Sequence, residues 1–256
     1  MNPYFKNTFS NSDDDYQYLT SDYNQNKFFD FLNTDNDDKN IDVKLNNKSN
    51  NKNRFRDNIV FDLDNTLICA VPFSQLHLLP ADLPFIYHDF IIDEINNSQN
   101  LRIFARPHLH KMLLSVSQFA NISVWTAAGK EYADFVVSRF FPTSIKIDFL
   151  FHSEQVQDAV RTYFRFKPLD YIYSFYPTTY SQNNTIIVDD LTDVASANPN
   201  NSIQIKAFKI LTDILHTFNK SVIYDTELLT LIEELKIKFD TLLITYKIGK
   251  MGKLKN

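Results

Sequence analysis

Glycine is scarce. The chain has 256 residues and just 3 glycines, Gly129, Gly249 and Gly252, so neither a Walker loop nor a dinucleotide fingerprint can be assembled. Any phosphate handled here is handled without a glycine-rich cradle. Cysteine is scarcer still: Cys69 stands alone, which excludes an intrachain disulfide and is compatible with a reducing compartment. No apolar run approaches the roughly 18 residues of a membrane helix, and Met1 to Thr20 is too polar for a signal peptide. The expectation is therefore no membrane, with nucleus and cytoplasm both compatible. A net charge of -5 offers no electrostatic attraction to nucleic acid, which is not an expected partner.

What the chain does have is a 44 % hydrophobic content, enough for a sizeable core, distributed unevenly. Residues 1–53 are rich in Asn and Asp, with runs such as Asp13-Asp14-Asp15, and bury too little apolar surface to offset ordering entropy. Disorder is expected there, interrupted by the apolar cluster Phe28-Phe29-Asp30-Phe31-Leu32. Residues 54–240 read as the folded domain and 241–256 as a basic tail.

Within that domain, Ile59-Val60-Phe61 is a continuous apolar run that suits a strand buried on both faces of a parallel sheet. It leads into Asp62-Leu63-Asp64, two carboxylates that gather at the strand's carboxyl end, where open α/β sheets place their ligands. The alternative is a solvated turn. Residues 68–104 read as a small β-rich insertion over the aspartates, with strand character over Ile86 to Ile95 and a turn at Asn96-Asn97. Arg106-Pro107 opens a helix with the stripe Leu109, Met112, Leu113 and Val116. His108 and His110, two apart, point away from each other and make poor joint metal ligands.

A second strand, Asn121 to Trp125, runs into Thr126-Ala127-Ala128-Gly129 and a helix over 130–140 with Tyr132, Phe135, Val136 and Phe140 inward. Free amides at such a junction suit phosphate, although small residues suit any tight turn. Ile145 to Phe151 reads as a third strand. Proline disfavours helix at the residue before it, so Lys167, preceding Pro168, belongs to an extended or loop segment, with a solvated lysine as the ordinary alternative. Thr185 to Val188 is another apolar strand ending in Asp189-Asp190, and Ile203 to Phe208 a short one. A long helix starts near Asp225, capped by Asp225 or Thr226 and fraying at Gly249. Strands alternating with helices predict an α/β fold with a doubly wound parallel sheet and the β-rich insertion after its first strand.

Three strand ends thus carry Asp62 with Asp64, Thr126, and Asp189 with Asp190. Phosphoryl transfer needs a nucleophile, charge neutralisation and a proton for the leaving group. An aspartate can be the nucleophile, but it meets a dianionic phosphate only with a cation present. Mg²⁺ prefers oxygen ligands, and Asp62, Asp189 and the backbone carbonyl of Asp64 would supply them. The Asp64 side chain is then free for acid/base work, Thr126 can donate to a phosphoryl oxygen, and Lys167 can offset equatorial charge.

Asp62-Leu63-Asp64-Asn65-Thr66-Leu67 resembles the signature of haloacid dehalogenase-type phosphatases. Arg106-Pro107, Trp125-Thr126-Ala127-Ala128 with Tyr132-Ala133-Asp134, Lys167-Pro168-Leu169, Val188-Asp189-Asp190 and the 198–208 and 225–229 segments resemble, in order, the narrower small C-terminal-domain phosphatase group. The resemblance spans about 58–235. It implies Asp62 as nucleophile, Asp64 as acid/base, and Thr126, Ala127 and Lys167 at the phosphate. It also implies Asp189 as a magnesium ligand and Asp190 at the metal or its water shell. The implied substrate is a phosphoserine or phosphothreonine on a protein segment, such as the RNA polymerase II tail. Departures at Asn65, Ala128, Pro168 and the aromatic stretch 163–176 touch the substrate surface and put that tail in doubt more than the chemistry. A phosphatase for small metabolites or nucleic-acid 3′-phosphates, and a non-catalytic binding protein of the same fold, are the alternatives.

Overall fold

An unbroken apolar run has to be covered on both sides, and Ile59-Val60-Phe61 occupies a strand position where it is. In a computed structural model describing residues 56–91, 100–217 and 223–253, this run lies in β1 (Asp57–Phe61), at the middle of a five-stranded sheet. Its parallel neighbours are β5 (Ala120–Trp125) and β7 (Thr185–Asp189), with β6 (Ile147–Phe151) and β8 (Ser202–Gln204) outside them, in the order β6-β5-β1-β7-β8.

Alternation along the strands divides the core. Ile59, Phe61, Ile122, Val124, Ile186 and Val188 pack on one face. There they meet α1 (Leu109–Ser117), α2 (Lys130–Phe140) and the start of α7 (Glu227–Lys253) through Met112, Val136 and Leu231. Val60, Trp125 and Ile187 face the other way, against α3 (Ser153–Tyr163), α4 (Leu169–Phe175) and α5 (Thr192–Ala197). Helices on both faces of a parallel sheet make the doubly wound α/β fold.

Between β1 and β5 the chain forms a second, antiparallel sheet of β2 (Ile68–Pro72), β3 (Tyr87–Ile91) and β4 (Asn100–Ala105) in the order β2-β4-β3. Its separate apolar cluster joins Cys69, Val71, Phe85 and Phe104 to Phe208 and to Ile210, the first residue of α6 (Ile210–Thr217).

Several local expectations shift. The helix after Arg106-Pro107 starts only at Leu109, because His108 turns left-handed at φ 66; its stripe of Leu109, Met112, Leu113 and Val116 is buried as expected. Ile203 to Phe208 pairs as a strand only to Gln204 and then leaves the sheet to reach the β1 turn, where the Phe208 amide donates to the Asn65 carbonyl over 2.6 Å. The helices α3, α4, α5 and α6 have no counterpart among the elements read from the sequence. The final helix runs through Gly249 to Lys253. Residues 1–53 with the Phe28–Leu32 cluster, and the Asn96-Asn97 turn, lie outside the described residues. Among the described residues no helix is long and apolar enough to cross a membrane.

Candidate active site

The register of the sheet assembles the site. Phe61 is paired with both Val124 and Val188, so one step further along each strand sets Asp62 between Trp125 and Asp189. The Asp62 amide still donates to the Val188 carbonyl over 3.0 Å, after which the chain leaves the sheet in a tight turn. Asn65 takes a left-handed conformation in that turn (φ 62), which asparagine tolerates better than most side chains. Its amide donates to the Ile68 carbonyl and that of Leu67 to the Leu63 carbonyl. These bonds close the turn and hold Asp62 and Asp64 at the strand end.

Lys167 reaches this point from the far side of the sheet. Its Nζ donates to Asp62 Oδ1 over 2.5 Å and to Asp189 Oδ2 over 2.7 Å, and the side chain is 1 % exposed. It lies on a loop, as the following proline predicts, but with a left-handed rather than extended backbone (φ 46), and it is buried between two carboxylates rather than solvated. The other Asp189 oxygen accepts from the Leu191 amide at 2.9 Å.

Asp64 faces elsewhere. Its Oδ1 accepts a 2.6 Å hydrogen bond from the Tyr132 hydroxyl of α2. Thr126, buried at the end of β5, accepts from the Ala128 amide over 3.1 Å, which fixes its hydroxyl at the turn before α2. Ala127 lies in the same turn. Thr66 donates to Asp190 at 3.5 Å, and its carbonyl accepts from the buried Arg106 at 3.0 Å.

The charges do not balance locally. Four carboxylates, Asp62, Asp64, Asp189 and Asp190, surround Lys167. Burial pushes Asp62 up to about 8, with Asp189 and Asp64 adding to the rise and Lys167 opposing it. Asp64 is raised by burial against the opposing effects of its Tyr132 bond and Lys167; Asp190 is raised by burial and then by Asp189. Burial alone would lower Lys167, but Asp62 and Asp189 outweigh it and hold the ammonium charged. Such a cluster retains a proton unless a cation takes its place.

Oxygens of Asp62, Asp189 and Asp190 lie within 4.8 Å of one another, the candidate metal group among the described residues. An all-carboxylate donor set with excess negative charge fits a hard divalent cation such as Mg²⁺ better than a soft one. His108 and His110 do not belong to the group, and the Asp64 side chain is engaged by Tyr132, leaving its backbone carbonyl as the donor expected from it.

The model of the NLI interacting factor-like phosphatase family matches residues 58–242. The chain belongs to this family. It is a phosphatase domain, and the family match contains every site residue described above. The chain is 31 % identical over 158 residues to the putative CTD phosphatase-like protein 355R of Invertebrate iridescent virus 6, covering 59 % of this chain and 85 % of that one. It is 27 % identical over 126 residues to the ubiquitin-like domain-containing CTD phosphatase of Arabidopsis thaliana, covering 46 % of this chain and 37 % of that protein. It is similar also to the solved structure of Fcp1, an essential RNA polymerase II CTD phosphatase, at 16 % identity and a TM-score of 0.47, covering 76 % of this chain and 53 % of that one.

Some contacts at the site have no local signal in the sequence. Tyr132 reads as a core residue of α2, and only its place in the first turn of a helix that follows a site-bearing strand marks it as a neighbour of Asp64. The pairing of Arg106 with Asp225, at 2.9 and 3.3 Å, links residues too far apart in sequence for any local pattern to reveal.

Proposed function

We propose that this phosphatase is a magnesium-dependent phosphomonoesterase that works through an aspartyl-phosphate on Asp62 and acts on phosphoserine or phosphothreonine in a protein segment. The observation that carries the reading is Lys167 held between Asp62 and Asp189 at the shared carboxyl end of β1 and β7.

In the first step a carboxylate oxygen of Asp62 attacks phosphorus. A bond forms between them while the ester bond breaks, and Asp64 gives its proton to the departing alkoxide. In the second, water attacks the same phosphorus and gives its proton to Asp64, and the Asp62–phosphate bond breaks to release inorganic phosphate. Lys167, the Thr126 hydroxyl and the Ala127 amide hold the non-bridging oxygens as their charge redistributes. Asp62, Asp189, Asp190 and the Asp64 carbonyl would hold Mg²⁺, which when bound supplies charge neutralisation for the approach of carboxylate to phosphate.

The protein substrate is supported by the curated relatives, whose names describe CTD phosphatases. The RNA polymerase II tail is the narrowest form of the proposal. A side-by-side panel of phosphopeptides, nucleotides and 3′-phosphorylated oligonucleotides tests it, with phosphopeptides expected to give the highest kcat/KM. Preference for a nucleotide or an oligonucleotide end overturns the protein substrate while leaving the chemistry in place. Binding of phosphopeptide with no hydrolysis of any substrate in the panel favours a non-catalytic role.

A further inference from the structure

Lys167 occupies a backbone position that ordinary residues avoid. At φ 46 it is left-handed, a conformation in which a side chain with a Cβ crowds the following carbonyl. Pro168 comes next and has no N–H to contribute. The Lys167 carbonyl and the Leu169 amide are therefore left as the polar groups of a buried turn, and each needs a partner.

One side chain serves both. Asn198, itself buried, accepts from the Leu169 amide through Oδ1 at 2.8 Å and donates from Nδ2 to the Lys167 carbonyl at 3.0 Å. The same Nδ2 donates to the Val194 carbonyl at 2.9 Å, which anchors the amide plane to α5. A second strut runs alongside: Arg165, paired with Asp170, donates to the Ala197 carbonyl over 3.2 Å. Helix α5 follows directly from Asp189-Asp190, and its first residues are tied to Asp189 through the Leu191 amide. Asp189 and the turn that carries Lys167 are thus fixed to opposite ends of one short helix.

We propose that Asn198 is the positioning residue for Lys167, holding its left-handed turn so that Nζ lies between Asp62 and Asp189. The inference rests on the proposed role of Lys167 at the phosphate. A side chain unable to donate and accept together lets the turn relax, and a small displacement of the ammonium is enough to cost about tenfold to a hundredfold in turnover.

The test is a double-mutant cycle on the full chain with an aryl phosphate and magnesium, comparing Asn198→Ala, Lys167→Ala and the double variant, with thermal unfolding of each. If Asn198 acts through Lys167, Asn198→Ala lowers kcat with KM little changed, and adds nothing further in the Lys167→Ala background. Multiplicative losses, or wild-type kcat in folded Asn198→Ala, overturn the proposal. So does full activity in Lys167→Ala. Asn198→Asp, which is isosteric and keeps the acceptor but loses the donor, and Lys167→Gln carry the same cycle if an alanine variant does not fold. Hydrolysis by the wild type and its loss in Asp62→Asn test the underlying reading separately. Without hydrolysis, calorimetric titration with orthovanadate decides the positioning role alone: equal weakening in the single and double variants supports it. Independent losses, or no binding by the wild type, overturn it.

Discussion

The hydroxyl of Tyr132 donates to the Asp64 carboxylate across 2.6 Å, tying the first turn of α2 to the turn that follows β1. Tyr132 is pushed well above its ordinary range by burial and by Asp64, so it remains a donor at any working pH. The bond leaves Asp64 one free oxygen and a fixed orientation. Tyr132→Phe keeps the ring and its edge-on contact with Phe90 while deleting only the donor. The expected result is a kcat lower by about tenfold with stability changed by about 1 kcal/mol, read from steady-state kinetics and urea unfolding. A variant that alters KM alone contradicts an orienting role.

Arg106 holds a different part of the turn. It is 1 % exposed, donates to the Thr66 carbonyl and grips Asp225 at the start of α7, while its guanidinium lies 5.5 Å from the Phe208 ring centre. Asp225 in turn accepts from the Glu227 amide at 2.9 Å and so caps α7. Arg106→Ala leaves a buried carbonyl and a partly buried carboxylate without their partner and is expected to cost about 3 kcal/mol in urea unfolding. Arg106→Ala combined with Asp225→Ala should cost less than the two losses added together.

Crowded carboxylates make a directional prediction about metal. With Asp62, Asp64 and Asp190 all raised by burial, protons and the cation compete for the same oxygens. Magnesium affinity should therefore rise with pH and level off above the about 8 of Asp62, as protons leave. Chelation should abolish phosphatase activity and added magnesium restore it. At a magnesium concentration about a hundredfold above its Kd, stability should increase by about 2.7 kcal/mol, and Asp189→Asn should remove that increment. Calorimetric titration at several pH values checks the affinity, phosphatase assays with chelator the activity, and urea unfolding with and without magnesium the stability; an affinity independent of pH contradicts the competition.

The sheet and the side chains that gather at its carboxyl end are more legible in the sequence than what holds them. Ile59-Val60-Phe61 and Thr185 to Val188 are apolar without interruption because both faces are covered, and that pattern is local. Asp62, Thr126 and Asp189 follow such strands directly, so their convergence could be read from strand ends. Lys167 could be placed on a loop by the proline after it. Its burial could not, since that depends on Asn198 at the end of a helix too short to announce itself. Tyr132 and Asp225 show the same limit. Their partners lie 68 and 119 residues away, and no periodicity links residues across that separation.

Cys69 offers a check on the small sheet. Burial pushes its thiol up to about 11, and it packs with Val71, Phe104 and Phe208. At pH 8 about one thiol in a thousand is ionised, and that fraction is shielded. Modification by a disulfide reagent should therefore be slow in the native protein and rapid in denaturant. Rapid labelling of the native chain would show the sheet to be open.

The most direct test of the account is hydrolysis of an aryl phosphate by the wild type and by Asp62→Asn, with and without magnesium. Magnesium-dependent release of phosphate is expected from the wild type, and none above background from a folded Asp62→Asn. Turnover persisting in Asp62→Asn contradicts Asp62 as the nucleophile.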